Sequence, residues 1–68
     1  MSLTLLVNGK PQEVPAGTQL PGLLETMGVA GTQVALEVNG ELFPRAKWTE
    51  RDLSAGDRIE VVTLVGGG

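Results

Sequence analysis

The chain has 68 residues, which predicts one domain with a small hydrophobic core. It contains no cysteine and no histidine, so disulfides, thiolate metal sites, cysteine nucleophiles and histidine bases are excluded. Its net charge is −3 without any basic cluster, and we expect neither nucleic acid nor a membrane as partner. With no signal-peptide pattern and no long apolar run, the sequence predicts a cytoplasmic protein that holds no metal.

The first predicted element is a β-hairpin. Apolar side chains alternate onto one face over residues 3–7, which is typical of a half-buried strand. Asn8-Gly9 follows, the preferred pair for a two-residue hairpin turn, because both positions need positive φ. The return strand, Lys10–Pro15, contains two prolines that cannot donate to a ladder, so it belongs at an edge of the sheet.

A single main helix is predicted next. Thr18 is a suitable N-cap, and Pro21 fits the first turn, where amide hydrogens have no helical partner. Gly28 predicts the C-terminal stop in a left-handed conformation. The apolar residues between them recur at helical spacing: Leu20, Leu23, Leu24 and Met27.

A second hairpin and a final strand complete the pattern. Val34–Val38 alternates as a half-exposed strand, Asn39-Gly40 repeats the turn signal, and Glu41–Phe43 is a short return strand. Residues 45–52 are mostly polar and predict a loop or short helical turn, after which the last strand is expected over 58–65.

This order of elements predicts an α+β fold. A mixed sheet of four to five strands with one helix packed on one face buries a single core. The apolar first and last strands would lie centrally, with the return strands at the edges. That arrangement is the ubiquitin-like β-grasp, and we expect it to occupy residues 1–65.

A glycine tail over residues 66–68 follows this predicted domain. Glycine loses more backbone entropy on ordering than any other residue, so we expect Gly66, Gly67 and Gly68 to form a flexible arm. The arm presents a carboxylate with no side chain beside it, suited to enter another protein's active site. The alternative is a frayed end or a cloning remnant, since chain termini are commonly disordered.

Several residues near the tail invite a functional interpretation. If alternate residues of the last strand face the core, Val62 and Leu64 point away and form a docking patch beside the tail. The alternatives are ordinary exposed aliphatics or a register shifted by one residue. Trp48 is expected to pack on the core with its indole N–H on a backbone carbonyl, and Arg45 to tie its loop or contact a partner.

Acidic residues are predicted to form a solvated surface that favours association with a basic partner. They include Glu37, Glu41, Glu50, Asp52, Asp57 and Glu60.

Three segments resemble the ThiS family of sulfur carriers in bacterial thiamine biosynthesis. They are Asn39-Gly40-Glu41-Leu42-Phe43-Pro44-Arg45-Ala46-Lys47-Trp48, Ala55-Gly56-Asp57-Arg58-Ile59-Glu60, and Val65-Gly66-Gly67-Gly68. The resemblance covers essentially the whole chain. In two places the chain departs from the family pattern: Phe43 is larger than the usual aliphatic residue, and Ala55 replaces the usual aspartate.

The resemblance implies a carrier function and not an enzyme. A ThiF-type adenylating enzyme would use ATP and Mg²⁺ to activate the Gly68 carboxylate, so that this chain itself binds no cofactor. A sulfur donor such as a cysteine desulfurase would supply the sulfur for a thiocarboxylate, and thiazole synthase (ThiG) would receive it. Val62, Leu64, Phe43 and Arg45 are the predicted partner-docking residues.

Other functions fit the same pattern. The small subunit of molybdopterin synthase shares the fold and the activation chemistry but delivers sulfur to a different acceptor. A β-grasp interaction module would bind a partner and transfer nothing, and a covalent protein modifier would form an isopeptide bond with a lysine.

Overall fold

A computed structural model describes residues 1–64 of the chain. The predicted end of the last strand at Val65 and the predicted tail over 66–68 lie outside the described residues. Five strands and one α-helix are described, with short 3-10 turns at Gly31–Gln33 and Arg45–Lys47. In chain order they are β1 (Ser2–Val7), β2 (Lys10–Pro15), α1 (Leu20–Met27), β3 (Val34–Val38), β4 (Glu41–Phe43) and β5 (Arg58–Thr63).

The strands form one mixed sheet in the order β2-β1-β5-β3-β4. β1 and β5 run parallel and all other neighbours are antiparallel. The final strand is therefore central, and the two return strands, β2 and β4, lie at edges. The predicted β-grasp with one helix on one face is confirmed. Within residues 1–64, no helix is long and apolar enough to cross a membrane.

Both Asn-Gly turns adopt the predicted hairpin geometry. Asn8 and Gly9 have φ of 51° and 81°, and Asn39 and Gly40 have φ of 54° and 85°. Positive φ at two successive positions matches the twist of the flanking strands. Each asparagine also bonds to β5: Asn8 Oδ1 accepts from the Val61 N–H, and Asn39 Oδ1 accepts from the Arg58 N–H, both at 2.9 Å.

The ends of α1 match the sequence signals only in part. Gly28 is the C-cap with φ of 72°, as predicted, and Pro21 lies in the first turn. The predicted N-cap is wrong: the N-cap is Gln19, whose side chain makes no capping bond. The Thr18 hydroxyl instead donates to the Pro15 carbonyl at 2.6 Å, because it closes the turn between β2 and α1. The helix is therefore held mainly by packing.

The core lies between α1 and the inner face of the sheet. Trp48 closes one side of it, only 5% exposed, and its indole N–H donates to the Phe43 carbonyl at 2.8 Å, as predicted. Gly31 allows this close packing, since a Cβ there would lie 3.0 Å from the Trp48 ring. The other buried apolar residues are Leu5, Val7, Val14, Leu20, Leu23, Leu24, Val34, Leu36, Val38, Leu53 and Ile59.

Candidate functional site

Exposed aliphatic side chains form a patch on the outer face of the sheet. Val62 on β5 is 47% exposed, Leu64 just after it is 60% exposed, and Leu42 on β4 is 66% exposed. β3 runs between these strands and places Ala35 opposite Val62 and Glu37 opposite Leu42. We call Leu42, Val62 and Leu64 the outer patch. Exposed apolar side chains grouped on one face in this way are suited to contact another protein.

The outer patch adjoins the point where the described chain ends. The Leu64 N–H donates to the Gln33 carbonyl at 2.7 Å, which fixes the end of β5 against the 3-10 turn Gly31–Gln33. Residues 65–68 continue covalently from this fixed point. A partner that contacts the outer patch would therefore lie close to the origin of the chain's C-terminal segment.

The register predicted for the last strand is largely confirmed. Ile59 is buried and Val61 packs against the core, while Val62 and Leu64 are exposed. Thr63 was expected on the core face. It does lie on the same face as Ile59 and Val61, but it is exposed because the strand ends there. The docking role of Val62 and Leu64 stays a prediction.

The structure does not bring the four predicted docking residues together. Phe43 pairs with the buried Leu36 on the inner face and packs against the core, with the Arg51 guanidinium 5.8 Å from its ring centroid. Arg45 lies on the helix side of the molecule and is exposed. The predicted bonds that would tie its loop are not found: its side chain makes no hydrogen bond or ion pair within residues 1–64.

Arg45 borders an open groove of about 410 Å³ between α1 and the loop after β4. The wall is apolar near Trp48, and Glu25 supplies a charge of the opposite sign to Arg45. The remaining lining residues are Pro21, Leu24, Val29, Gly31 and Thr49. Trp48 is too deeply buried to offer a ring face to a stacked ligand. The part of the chain that the structure describes has no cluster of three His, Cys, Asp or Glu side chains able to hold a metal.

Asp57 was expected at the solvated surface, and that prediction is wrong. It is only 7% exposed, because the turn before β5 folds its carboxylate back under the second hairpin. Its oxygens accept from the Ser54 N–H at 2.8 Å, from Asn39 Nδ2 at 3.0 Å and from Arg51 Nη2 at 3.2 Å. Burial by itself raises the pKa of Asp57, but the Ser54 and Asn39 hydrogen bonds and the Arg51 charge outweigh it and hold this pKa below its ordinary value.

The other acidic residues behave more nearly as predicted. Glu37 is half-buried, and the rest are exposed: Glu41, Glu50, Asp52 and Glu60.

Leu42 is the patch residue that sequence reasoning missed. The signal for it was present, since the Asn39-Gly40 turn fixes the register of β4 on β3. That register places Leu42 opposite Glu37, on the face away from Leu36. A strand of three residues gives too short an alternation for the sequence to identify its inner face.

Comparisons with known proteins agree on one family. A model described as the ThiS family matches residues 5–68. The sulfur carrier protein ThiS of Thermus thermophilus is 40% identical over 62 residues, which is 91% of this chain and 95% of that relative. The crystal structure of a thiamine biosynthesis protein (ThiS) from Geobacter metallireducens superposes with a TM-score of 0.78 at 34% identity, covering 97% of this chain and all of that one.

A second group of relatives is much longer than this chain. A thiazole synthase of Magnetococcus marinus is 42% identical over 62 residues, which is 91% of this chain but 19% of that protein. The chain thus spans about a fifth of the length of the thiazole synthases it matches. A region similar to this chain and a further, larger region therefore share one polypeptide in those proteins.

Proposed function

The chain belongs to the ThiS family, and from this premise we propose that its Gly68 carboxylate carries sulfur to thiazole synthase. One observation carries the proposal: the family match extends through the terminal glycines of a chain with the β-grasp fold. The chain is a protein cosubstrate on which cytoplasmic partner enzymes act.

The proposed chemistry has two steps on the terminal carboxyl group. A Gly68 oxygen attacks the α-phosphorus of ATP on a ThiF-type enzyme, which forms an acyl-adenylate and releases pyrophosphate. Hydrosulfide then attacks the acyl carbon; where a cysteine desulfurase supplies the sulfur, the outer sulfur of its persulfide attacks instead, AMP leaves, and a thiol cleaves the resulting sulfur–sulfur bond to give the thiocarboxylate and a disulfide. With hydrosulfide the carbon–sulfur bond forms, AMP leaves with the electron pair of the broken bond, and a proton is lost to give the thiocarboxylate. ATP and Mg²⁺ bind the partner and not this chain.

The glycines suit this chemistry for steric reasons. The acyl carbon needs an open approach, and glycine has no Cβ to obstruct it. Three extended residues span about 10 Å, which is the depth that such an arm reaches beyond the folded domain. We propose residues 1–65 as the folded domain and 66–68 as this arm.

We propose that the outer patch docks the adenylating enzyme. Val62 and Leu64 expose apolar surface close to where the arm begins, and Leu42 extends that surface across β3. A partner that holds the domain there would bring the arm toward its own active site. Phe43 and Arg45 are left out of this surface because they lie on the inner face and on the helix side.

Thiazole synthase is the acceptor that the comparisons favour. Proteins named thiazole synthase contain a region 32% and 42% identical to this chain. A carrier and its acceptor that are joined in some proteins are expected to meet in others. This observation favours thiazole synthase over molybdopterin synthase as the acceptor.

The proposal is tested by carrier-dependent exchange of labelled pyrophosphate into ATP, because adenylation is reversible. A ThiF-type enzyme with the wild-type chain should catalyse the exchange. A chain with one alanine added after Gly68 should abolish it, and Gly67→Ala should slow it, while Ser2→Ala, far from the arm, should leave it unchanged. Equal exchange with the extended chain would contradict the assignment to the Gly68 carboxylate, and no exchange with the wild-type chain would favour a non-transferring interaction module.

A further inference from the structure

Two like charges face each other across the central strands on the outer face. Glu60 on β5 is directly opposite Glu37 on the antiparallel strand β3. Side chains in such a pair have Cβ atoms about 4.5–5.5 Å apart, and like charges in this position destabilise a sheet. The pair therefore costs stability in the isolated protein.

The rest of the face does not neutralise this pair. Arg58 shares the outer face two residues before Glu60 and lies diagonal to Glu37, yet it forms no ion pair with either. Over residues 1–64 the ion pair found is Arg51 with Asp57, at the turn before β5. The two carboxylates thus remain without a cationic contact on the described part of the chain.

Apolar side chains of the outer patch frame the pair. Leu42 is directly opposite Glu37 on the β4 side, and Val62 follows Glu60 on the same face of β5. Glu37 is itself half-buried. A protein surface that covered Leu42 and Val62 would also cover the carboxylates and remove water from them. Two adjacent carboxylates removed from water require a cation.

We propose that the outer patch and this carboxylate pair form one docking surface for a partner that presents an arginine framed by apolar side chains. The inference rests on the proposed function, because the partner it describes is the adenylating enzyme. Arginine fits better than lysine, since its planar guanidinium donates to two carboxylates at once and is more weakly hydrated. The apolar contact supplies the affinity, and the arginine supplies the specificity.

This arrangement has a distinctive signature, in which stability and affinity change in opposite directions. Glu60→Gln removes the repulsion, so its thermal midpoint should rise above that of the wild type. The same change removes a charge from the interface, so the affinity for a ThiF-type enzyme should fall about 5- to 10-fold. The salt dependence of binding should weaken as well.

The experiment measures binding and thermal unfolding for the wild type, Glu60→Gln, Glu37→Gln and the control Glu50→Gln. Glu50 is exposed in the loop before β5, so its variant has the same net charge without altering the pair. We expect the two sheet variants to bind more weakly and melt higher, and the control to match the wild type in both. Unchanged affinity of Glu60→Gln, or an equal loss in the control, would overturn the inference.

Two further outcomes separate this inference from its alternatives. A thermal midpoint that rises with Mg²⁺ or Ca²⁺ in the wild type but not in Glu60→Gln would show that the carboxylate pair binds a metal ion. That result would overturn the proposal that the pair binds an arginine of the partner. Pyrophosphate exchange by the wild type with unchanged binding of Glu60→Gln would refute only the charge pair. A wild type that supports no exchange would refute the proposed function itself.

Discussion

The two faces of the sheet carry side chains of different character on the same strands. On the inner face, Leu36 and Ile59 are fully buried against α1. One residue further along the same strands, Glu37 and Glu60 lie on the outer face, where Glu37 is opposite the exposed Leu42. Since strand side chains alternate with period two, neighbouring residues are subject to separate physical demands. Truncations on the outer face are therefore expected to disturb the core far less than truncations on the inner face.

Truncation of the inner face should have the largest effect on stability. Leu36→Ala leaves a cavity in the core and should lower the free energy of unfolding by about 2–5 kcal/mol in urea denaturation. Its matched control, Val62→Ala on the outer face, should change that free energy by no more than about 0.5 kcal/mol. If Leu36→Ala fails to fold, Leu36→Val should show a smaller loss in the same direction. Equal losses of unfolding free energy for Leu36→Ala and Val62→Ala would contradict the claim that the two faces contribute differently to stability.

Asp57 should have the next largest effect. Asp57→Asn removes the charge that Ser54, Asn39 and Arg51 satisfy, and it should cost about 1–3 kcal/mol of unfolding free energy. Asp52→Asn is the control, because it changes an exposed carboxylate in the loop before β5. It should lower the unfolding free energy far less. A loss as small as that of the control would show that the buried network contributes little.

The same carboxylate predicts a dependence of stability on pH. The folded-state pKa of Asp57 lies below its unfolded value, so its contribution is fully present above about pH 4. It is lost as the pH falls through the folded-state pKa. The difference in unfolding free energy between wild type and Asp57→Asn should therefore shrink below about pH 4. A difference that stays constant down to pH 2 would contradict the assignment.

A smaller difference in unfolding free energy is expected between variants of the two Asn-Gly turns. The Asn39 side chain both donates to Asp57 and accepts from the Arg58 N–H, whereas the Asn8 side chain only accepts from the Val61 N–H. Substitution by glycine keeps the positive φ and removes only the side chain. Asn39→Gly should therefore cost about 1–2 kcal/mol and Asn8→Gly about 0.5–1 kcal/mol in urea denaturation. The reverse order would show that the Asp57 network is not what distinguishes the turns.

The outer patch should have the smallest effect on stability and a large one on binding. Leu42→Ser should leave the thermal midpoint nearly unchanged but weaken binding to a ThiF-type enzyme by about tenfold. Leu6→Ser is the control, because Leu6 is exposed on the same face but three strands away from β4. Binding would be measured by isothermal titration calorimetry. Equally weak binding of both variants would show that the docking surface extends beyond the outer patch.

The features that sequence reasoning predicted were those encoded within a few neighbouring residues. Asn-Gly pairs fix their own turns through φ, and Gly28 fixes the end of its helix in the same way. The exposure of Val62 and Leu64 followed from alternation along the last strand. These signals are local, so the chain's tertiary structure had little opportunity to override them.

One of the misses depended on a contact between distant parts of the chain, and others depended on local turns. From its position in a turn, Asp57 is predicted to be a surface residue. It is buried because the Asn39 hairpin packs against that turn. Phe43 and Arg45 stand two residues apart yet lie on different surfaces, because Pro44 ends β4 and the chain turns at once into a 3-10 turn. Thr18 is a suitable N-cap by residue type, but its hydroxyl donates to a carbonyl of the preceding turn instead.

The central claim is that Gly68 carries sulfur, and the intact mass of the chain tests it most directly. The chain would be incubated with a ThiF-type enzyme, ATP, Mg²⁺ and hydrosulfide, then fragmented in the mass spectrometer. The account predicts a gain equal to one oxygen replaced by one sulfur, located at Gly68 and absent when ATP is omitted. No gain, with the same enzyme preparation active on an established carrier, would contradict the account.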